Sequence, residues 1–107
     1  MAADSPYVYE GDLRQHAPIT ECGLASRIVQ NTQRLRVVQF TFAAGHGLAA
    51  HTAPHPVTLT FLSGQARVRV GAQEVSANEG TFLSLPPNLE HSIEAESEVV
   101  MVLTMIK

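Results

Sequence analysis

Two histidines, His51 and His91, each belong to a short block of residues that is framed by glycine. The blocks read Gly45-x5-His51-x12-Gly64 and Gly80-x5-Pro86-x4-His91. Neutral imidazole is the commonest metal ligand among side chains. Glycine and proline stand where a strand must turn. The spacing therefore suggests that two strand-rich segments bring two imidazoles to one pocket, and a divalent metal is the first ligand to consider.

The elements that would position these histidines are short strands. Ser26–Gln30 and Leu35–Phe42 flank the polar stretch Asn31–Arg34, a pattern that predicts a hairpin. Further alternating or apolar runs follow, at Val57–Leu62, Ala66–Val70, Gln73–Val75, Thr81–Leu85 and Glu98–Ile106. Seven or eight short strands without a long amphipathic helix indicate an all-β barrel or jelly roll.

The strand residues also predict the core, and the segment between the first strands predicts a loop. Residues 43–56 are rich in Ala, Gly and Pro and are expected to form that loop. Eight apolar strand residues are expected to pack in the core: Val57, Leu59, Phe61, Phe82, Leu85, Met101, Leu103 and Met105.

Length and composition limit the possible classes of protein. The chain has 107 residues, which corresponds to one domain, and its net charge of −3 comes with no basic run. We therefore expect no nucleic acid and no membrane as partner. No signal-like segment is visible at the start, and the one cysteine, Cys22, has no partner within the chain for a disulfide. A cytoplasmic location is expected.

The two glycine-framed blocks resemble the motifs of the cupin superfamily, whose first motif is written G-x5-H-x-H-x3,4-E-x6-G and whose second is G-x5-P-x-G-x2-H-x3-N. The stretch GHGLAAHTAPHPVTLTFLSG, residues 45–64, matches the first motif at both glycines and at His51. The stretch GTFLSLPPNLEHSIEA, residues 80–95, matches the second motif at Gly80, Pro86 and His91. The resemblance extends over about residues 35 to 106.

This resemblance implies a small single-domain cupin of the type 2, RmlC-like kind, with a jelly-roll barrel (a double-stranded β-helix). It implies a barrel over residues 31–107 and an N-terminal arm over residues 1–30. Because small cupins are often homodimers, the arm could cross to a partner subunit. Fold alone does not give function, since cupins include oxygenases, isomerases, storage proteins and sensors.

The chain departs from the cupin motifs at two expected metal ligands. Ala53 stands at the position of the second histidine, and Val57 stands at the position of the glutamate. No Asp or Glu lies between Glu21 and Glu74 to replace that carboxylate. His55, held between two prolines in a stiff turn, could supply a third nitrogen.

Three functional hypotheses follow from these observations. In the first, His51, His91 and His55 bind a divalent metal, which could support an enzymatic activity. Spacing does not identify the metal among Zn, Ni, Fe, Cu and Mn. In the second, the barrel is a metal-free binding or sensory module whose histidines hydrogen-bond a small molecule. In the third, the pocket is vestigial and the protein has a structural or interaction role.

Overall fold

The computed structural model describes residues 6–15 and 22–107, and in this part of the chain it shows nine strands and no helix. None of these residues forms a helix of the length and apolar character that crossing a membrane requires. The strands are β1 Leu24–Asn31, β2 Leu35–Phe42, β3 Gly47–His51, β4 Val57–Ser63, β5 Ala66–Val70, β6 Gln73–Ala77, β7 Phe82–Leu85, β8 His91–Ala95 and β9 Val99–Ile106.

The strands form two antiparallel sheets that enclose one core. The first sheet has five strands in the order β1-β2-β9-β4-β7, and the second has four in the order β3-β8-β5-β6. Most neighbours in these sheets are distant in the sequence, as when β9 lies between β2 and β4. This is the jelly-roll architecture, so the predicted all-β fold is confirmed, as is the hairpin of β1 and β2.

The chain reverses direction at two opposite ends of the barrel. We call one end the mouth; it is formed by the connections 32–34, 52–56, 71–72 and 86–90. The other end is formed by the connections 43–46, 64–65, 78–81 and 96–98. Because β3 ends and β8 begins beside mouth connections, both motif histidines lie at this end.

Strand alternation explains where the core sits. In β4, Val57, Leu59 and Phe61 are buried, and the residues between them are less so. Side chains directly opposite each other on paired strands lie on the same face. The core extends accordingly to residues of the other strands: Phe42, Ala66, Val68, Ala77, Leu85, Ile93, Ala95, Val99 and Met101.

Burial decreases along the barrel toward the mouth. Val99 and Met101 in β9 are fully buried, whereas Leu103 and Met105 on the same face are only partly buried. The inner face of the barrel is therefore accessible to solvent from the mouth.

The prediction that Phe82 belongs to the core is wrong, since its side chain is 60% exposed. In β7, Leu83 lies opposite Leu59 and Leu85 lies opposite Val57. These pairs point inward, so alternation turns Phe82 outward.

The prediction of a loop over residues 43–56 is partly wrong, because residues 47–51 form β3. This strand pairs with β8, and Gly47 lies opposite Glu94. The backbones approach so closely that a Cβ on Gly47 would be 1.9 Å from the carbonyl oxygen of Ile93. Glycine and alanine have low strand propensity, and here pairing with a distant strand overrides it.

Residues 6–15 lie over the outer face of the five-stranded sheet. Gln39 is 2% exposed although it points away from the core, and its amide donates to the carbonyl oxygen of Leu13. Arg27 donates to Gln39 and also pairs with Glu10 at 2.6 Å.

Part of the predicted arm over residues 1–30 therefore packs against its own barrel. Residues 24–30 form most of the edge strand β1. Residues 1–5 and 16–21 of the arm lie outside the described residues. Crossing of the arm to a partner subunit stays a prediction.

Candidate functional site

The two motif histidines are neighbours across one pair of strands. His51 is the last residue of β3, His91 is the first residue of β8, and they are directly opposite each other in the antiparallel ladder. Their ring centroids are 4.4 Å apart, and the ring planes are inclined by 57°. His91 is buried, at 3% exposure, whereas His51 is exposed at the mouth. The structure brings the two imidazoles close together, as the motif spacing predicted, and their role as ligands stays a prediction.

Each imidazole is oriented by a backbone carbonyl of its own segment. His51 Nδ1 lies 2.8 Å from the carbonyl oxygen of Ala49, and His91 Nδ1 lies 2.9 Å from that of Leu89. A carbonyl oxygen only accepts hydrogen bonds, so Nδ1 carries the hydrogen in both rings. In a neutral imidazole the other nitrogen, Nε2, is then an acceptor or a metal ligand. The site offers two imidazole nitrogens of this kind.

The two ligand positions that the sequence lacks are apolar in space as well. Ala53 lies in a mouth connection and packs against the core. Val57 is 3% exposed on the inner face of β4, where it lies opposite Leu85 on one side and Met105 on the other. The inner surface near the histidine pair is therefore mainly hydrocarbon.

His55 lies half-buried in the connection 52–56. Across residues 6–15 and 22–107, no three or more His, Cys, Asp or Glu side chains form a group that could hold a metal ion. The structure thus brings His51 and His91 together but does not group His55 with them. A catalytic metal commonly has three protein ligands, and the pair supplies two. His55 as the third ligand stays a prediction.

Arg36 is a residue of the mouth that the motif analysis did not identify. It lies in β2 opposite Met105 of β9, in the same alternating set as Val38, Phe40 and Phe42. Because Phe42 is in the core, Arg36 is on the inner face too. The side chain is half-buried, and its Nε atom is buried without a hydrogen-bond partner. Extending the alternation of β2 back by two residues would have identified it.

The outer face of the four-stranded sheet carries a groove of about 540 Å³. Arg67 in this groove is exposed and pairs with Glu94, with Glu96 at 3.5 Å and with Glu74 at 4.0 Å. Exposed pairs of this kind contribute about 0–1 kcal/mol each. Arg67 and the three glutamates are all exposed, so this face is a solvated surface.

Comparison with known proteins agrees with the geometry. The family model of the cupin domain matches residues 38–107. No curated protein gives a significant match.

Solved structures with the same fold are numerous. The conserved SPY1581 protein of unknown function from Streptococcus pyogenes is 25% identical, with a TM-score of 0.83 over 94% of this chain and 89% of that one. An RmlC-like cupin from Desulfovibrio desulfuricans is 19% identical, with a TM-score of 0.83 over 94% and 97%. A cupin 2 conserved barrel domain protein from Leptotrichia buccalis is 26% identical, with a TM-score of 0.78 over 85% and 44%.

Proposed function

This chain belongs to the cupin family, and we propose that it is a small-molecule-binding barrel whose ligand is held at the mouth by His51 and His91. The observation that carries the proposal is the contact between the two imidazoles, whose Nδ1 atoms are both held by backbone carbonyls. Side chains fixed in this way recognise a ligand without first having to be ordered. The homodimer and the cytoplasmic location expected from the sequence stay predictions.

The ligand's chemistry follows from what the mouth presents. Two Nε2 acceptors call for hydroxyl or N–H donors on the ligand. Val57, Ala53 and Met105 offer hydrocarbon at the same end of the barrel. Apolar walls with a few polar groups at fixed positions are typical of sites for organic molecules.

An organic ligand is favoured over a resident metal because of the residues that surround the pair. Ala53 and Val57 supply no donor atom at the two positions where the cupin motif has one. Arg36 places a positive charge on the inner face at the same end of the barrel. A like charge disfavours a bound cation, most strongly where water is excluded.

A divalent metal (Zn, Ni, Fe, Cu or Mn) is the second candidate ligand, and one observation favours it. Metal-ligating histidines commonly donate their other ring N–H to a backbone carbonyl, as His51 and His91 do. In this reading His55 is the third ligand.

Elemental analysis of the untagged protein separates the two candidates. The samples are the wild type, the His51→Ala/His91→Ala variant, a His55→Ala variant and a His46→Ala control at the opposite end of the barrel. We expect far less than one metal per chain in every sample, before and after incubation with zinc, nickel or ferrous iron. About one metal per chain in the wild type and control, lost in the double variant and in His55→Ala, would establish the metal site instead.

Binding of an organic donor is tested by NMR of the histidine rings. Phenol is a suitable probe because it has a hydroxyl donor and an apolar ring, and methoxybenzene, which lacks the donor, is its control. We expect phenol to shift the signals of His51 and His91 saturably, and methoxybenzene to bind at least about tenfold more weakly, as for a lost hydrogen bond of roughly 1.4 kcal/mol. Equal responses to both probes, or none, would contradict a hydrogen-bonding role of the pair.

A further inference from the structure

We propose that the ligand of this barrel carries a carboxylate, and that Arg36 binds it. The inference rests on the proposed function, since it assigns the chemical class of the molecule that His51 and His91 would hold. It uses a residue that neither cupin motif contains.

The fold places Arg36 and the histidine pair at the same end of the barrel. In the five-stranded sheet, Arg36 lies opposite Met105, which lies opposite Val57. In the four-stranded sheet, His51 lies opposite His91. The connection 52–56 joins the ends of these two rows, because it runs from His51 to Val57. Both rows thus form part of the wall just inside the mouth.

Arg36 differs from the three arginines that form ion pairs in the described part of the chain. Arg14 pairs with Asp12, Arg27 with Glu10, and Arg67 with Glu94. These three arginines are on the outside, and each has a carboxylate partner. Among the described residues, no carboxylate pairs with the guanidinium of Arg36.

The Nε–H group of Arg36 is buried without an acceptor. A buried donor that lacks a partner destabilises a protein, and more so when it is charged. The neighbouring positions of its row, Met105 and Val57, have no oxygen in their side chains to accept that hydrogen. A ligand that brings a hydrogen-bond acceptor would satisfy this N–H group. The group that destabilises the free protein would therefore favour binding of such a ligand.

A carboxylate fits this donor better than other small acceptors. The guanidinium group is a planar fork of N–H donors that matches the two oxygens of a carboxylate in a bidentate contact. Phosphate is the other anion with this property. The Nε2 atoms of His51 and His91 would then accept hydrogen bonds from other groups of the ligand, so that one molecule would contact both the guanidinium and the imidazoles.

The test uses the full chain and acetate, the smallest carboxylate with an apolar group. Acetamide is the uncharged control, and inorganic phosphate is the second anion. Each is titrated at constant ionic strength to about 0.1 M, where exposed charges are already largely screened. The NMR signal of the Arg36 Nε–H group reports binding, and the rings of His51 and His91 are followed in the same samples.

Three variants accompany the wild type. Arg36→Gln removes both the positive charge and the planar set of N–H donors, whereas Arg36→Lys keeps only the charge. Arg34→Gln removes a charge from the exposed turn nearby. We expect acetate to shift the Arg36 signal saturably and acetamide not to. Acetate binding, measured on the histidine rings, should weaken about 10- to 100-fold in Arg36→Gln, less in Arg36→Lys and not in Arg34→Gln.

The outcomes separate this inference from the proposed function. If acetate and acetamide act alike on the wild type, or acetate leaves Arg36 unchanged, the carboxylate assignment is wrong even if a variant fails to fold. Tighter binding of phosphate than of acetate would also overturn it. In either case, a retained response of the histidine rings to phenol would leave the proposed function intact, and its loss would remove both.

Discussion

Substitution of Gly47 by alanine is the perturbation that most directly tests how the histidine pair is held. The added Cβ would lie 1.9 Å from the carbonyl oxygen of Ile93, whereas ordinary contact begins at 3.4 Å. Strand β3 must therefore move away from β8 by about 1.5 Å, the difference of these two distances. Because His51 is on β3 and His91 is on β8, the shift also separates the two imidazoles.

The cost in stability can be bounded from this clash. Overpacking costs about 1–3 kcal/mol, and we expect about 2 kcal/mol for Gly47→Ala. In a domain of this size that lowers the melting temperature by about 8–16 °C. Gly45→Ala is a matched control two residues away. Its Cβ would meet nothing within 4 Å, but its φ of +85° is unfavourable for alanine and costs about 1 kcal/mol.

The assay combines thermal unfolding with NMR contacts between the two imidazole rings. Gly47→Ala should lose both stability and the His51–His91 contact. Gly45→Ala should lose some stability and keep the contact. If Gly47→Ala were as stable as the wild type with the contact intact, the close packing of β3 on β8 would be refuted, and with it the account of how the pair is positioned.

Three further predictions concern the mouth, the core and the arm. The double substitution Ala53→His with Val57→Glu should create a zinc site together with the two native histidines. At a zinc concentration 100-fold above Kd, binding should raise the free energy of unfolding by about 2.7 kcal/mol. If zinc did not raise the melting temperature of this variant, positions 53 and 57 would not face the histidine pair. Phe61→Ala should cost about 3–5 kcal/mol in denaturant unfolding, because the ring is fully buried, and a loss under 1 kcal/mol would contradict the assigned core. Hydrogen bonds from Arg14 hold the pKa of Asp12 below its ordinary value. The stabilisation from this contact is therefore present above the unfolded-state pKa of Asp12 and is lost as the pH falls through its folded-state pKa. An NMR titration should show that Arg14→Gln raises the pKa of Asp12, and an unchanged pKa would rule the contact out.

The sequence was sufficient to predict the parts of the fold that depend on local chemistry. Gly45, Gly64 and Gly80 all adopt positive φ, which is why glycine spacing indicated where the chain turns. Gly64 is also constrained by space, since a Cβ there would be 2.0 Å from the carbonyl oxygen of Glu98. Alternation likewise identified β4 and its three buried residues, Val57, Leu59 and Phe61.

Features that depend on pairing between distant segments could not be predicted in this way. Strand β3 is rich in glycine and alanine, and only its contact with β8, about forty residues later, makes it a strand. The placement of His51 and His91 at one pocket was predicted from motif spacing, but the direct contact of their rings, its register and the carbonyls that orient each ring are tertiary features. Arg36 could not be identified from the motifs, because what distinguishes it is the lack of a hydrogen-bond acceptor for its buried Nε–H group.

The position of β9 in the first sheet has a consequence for how the chain can fold during synthesis. β2 ends at Phe42, yet its second neighbour begins only at Val99. Until β9 leaves the ribosome, the inner edge of β2 has no strand to pair with, and an isolated hairpin is marginally stable in water. One edge of β4 also stays unpaired until β9 is available. The barrel therefore cannot be assembled from its N-terminus onward, and a nascent chain that stalls before Val99 presents unpaired strand edges to its neighbours on the polysome.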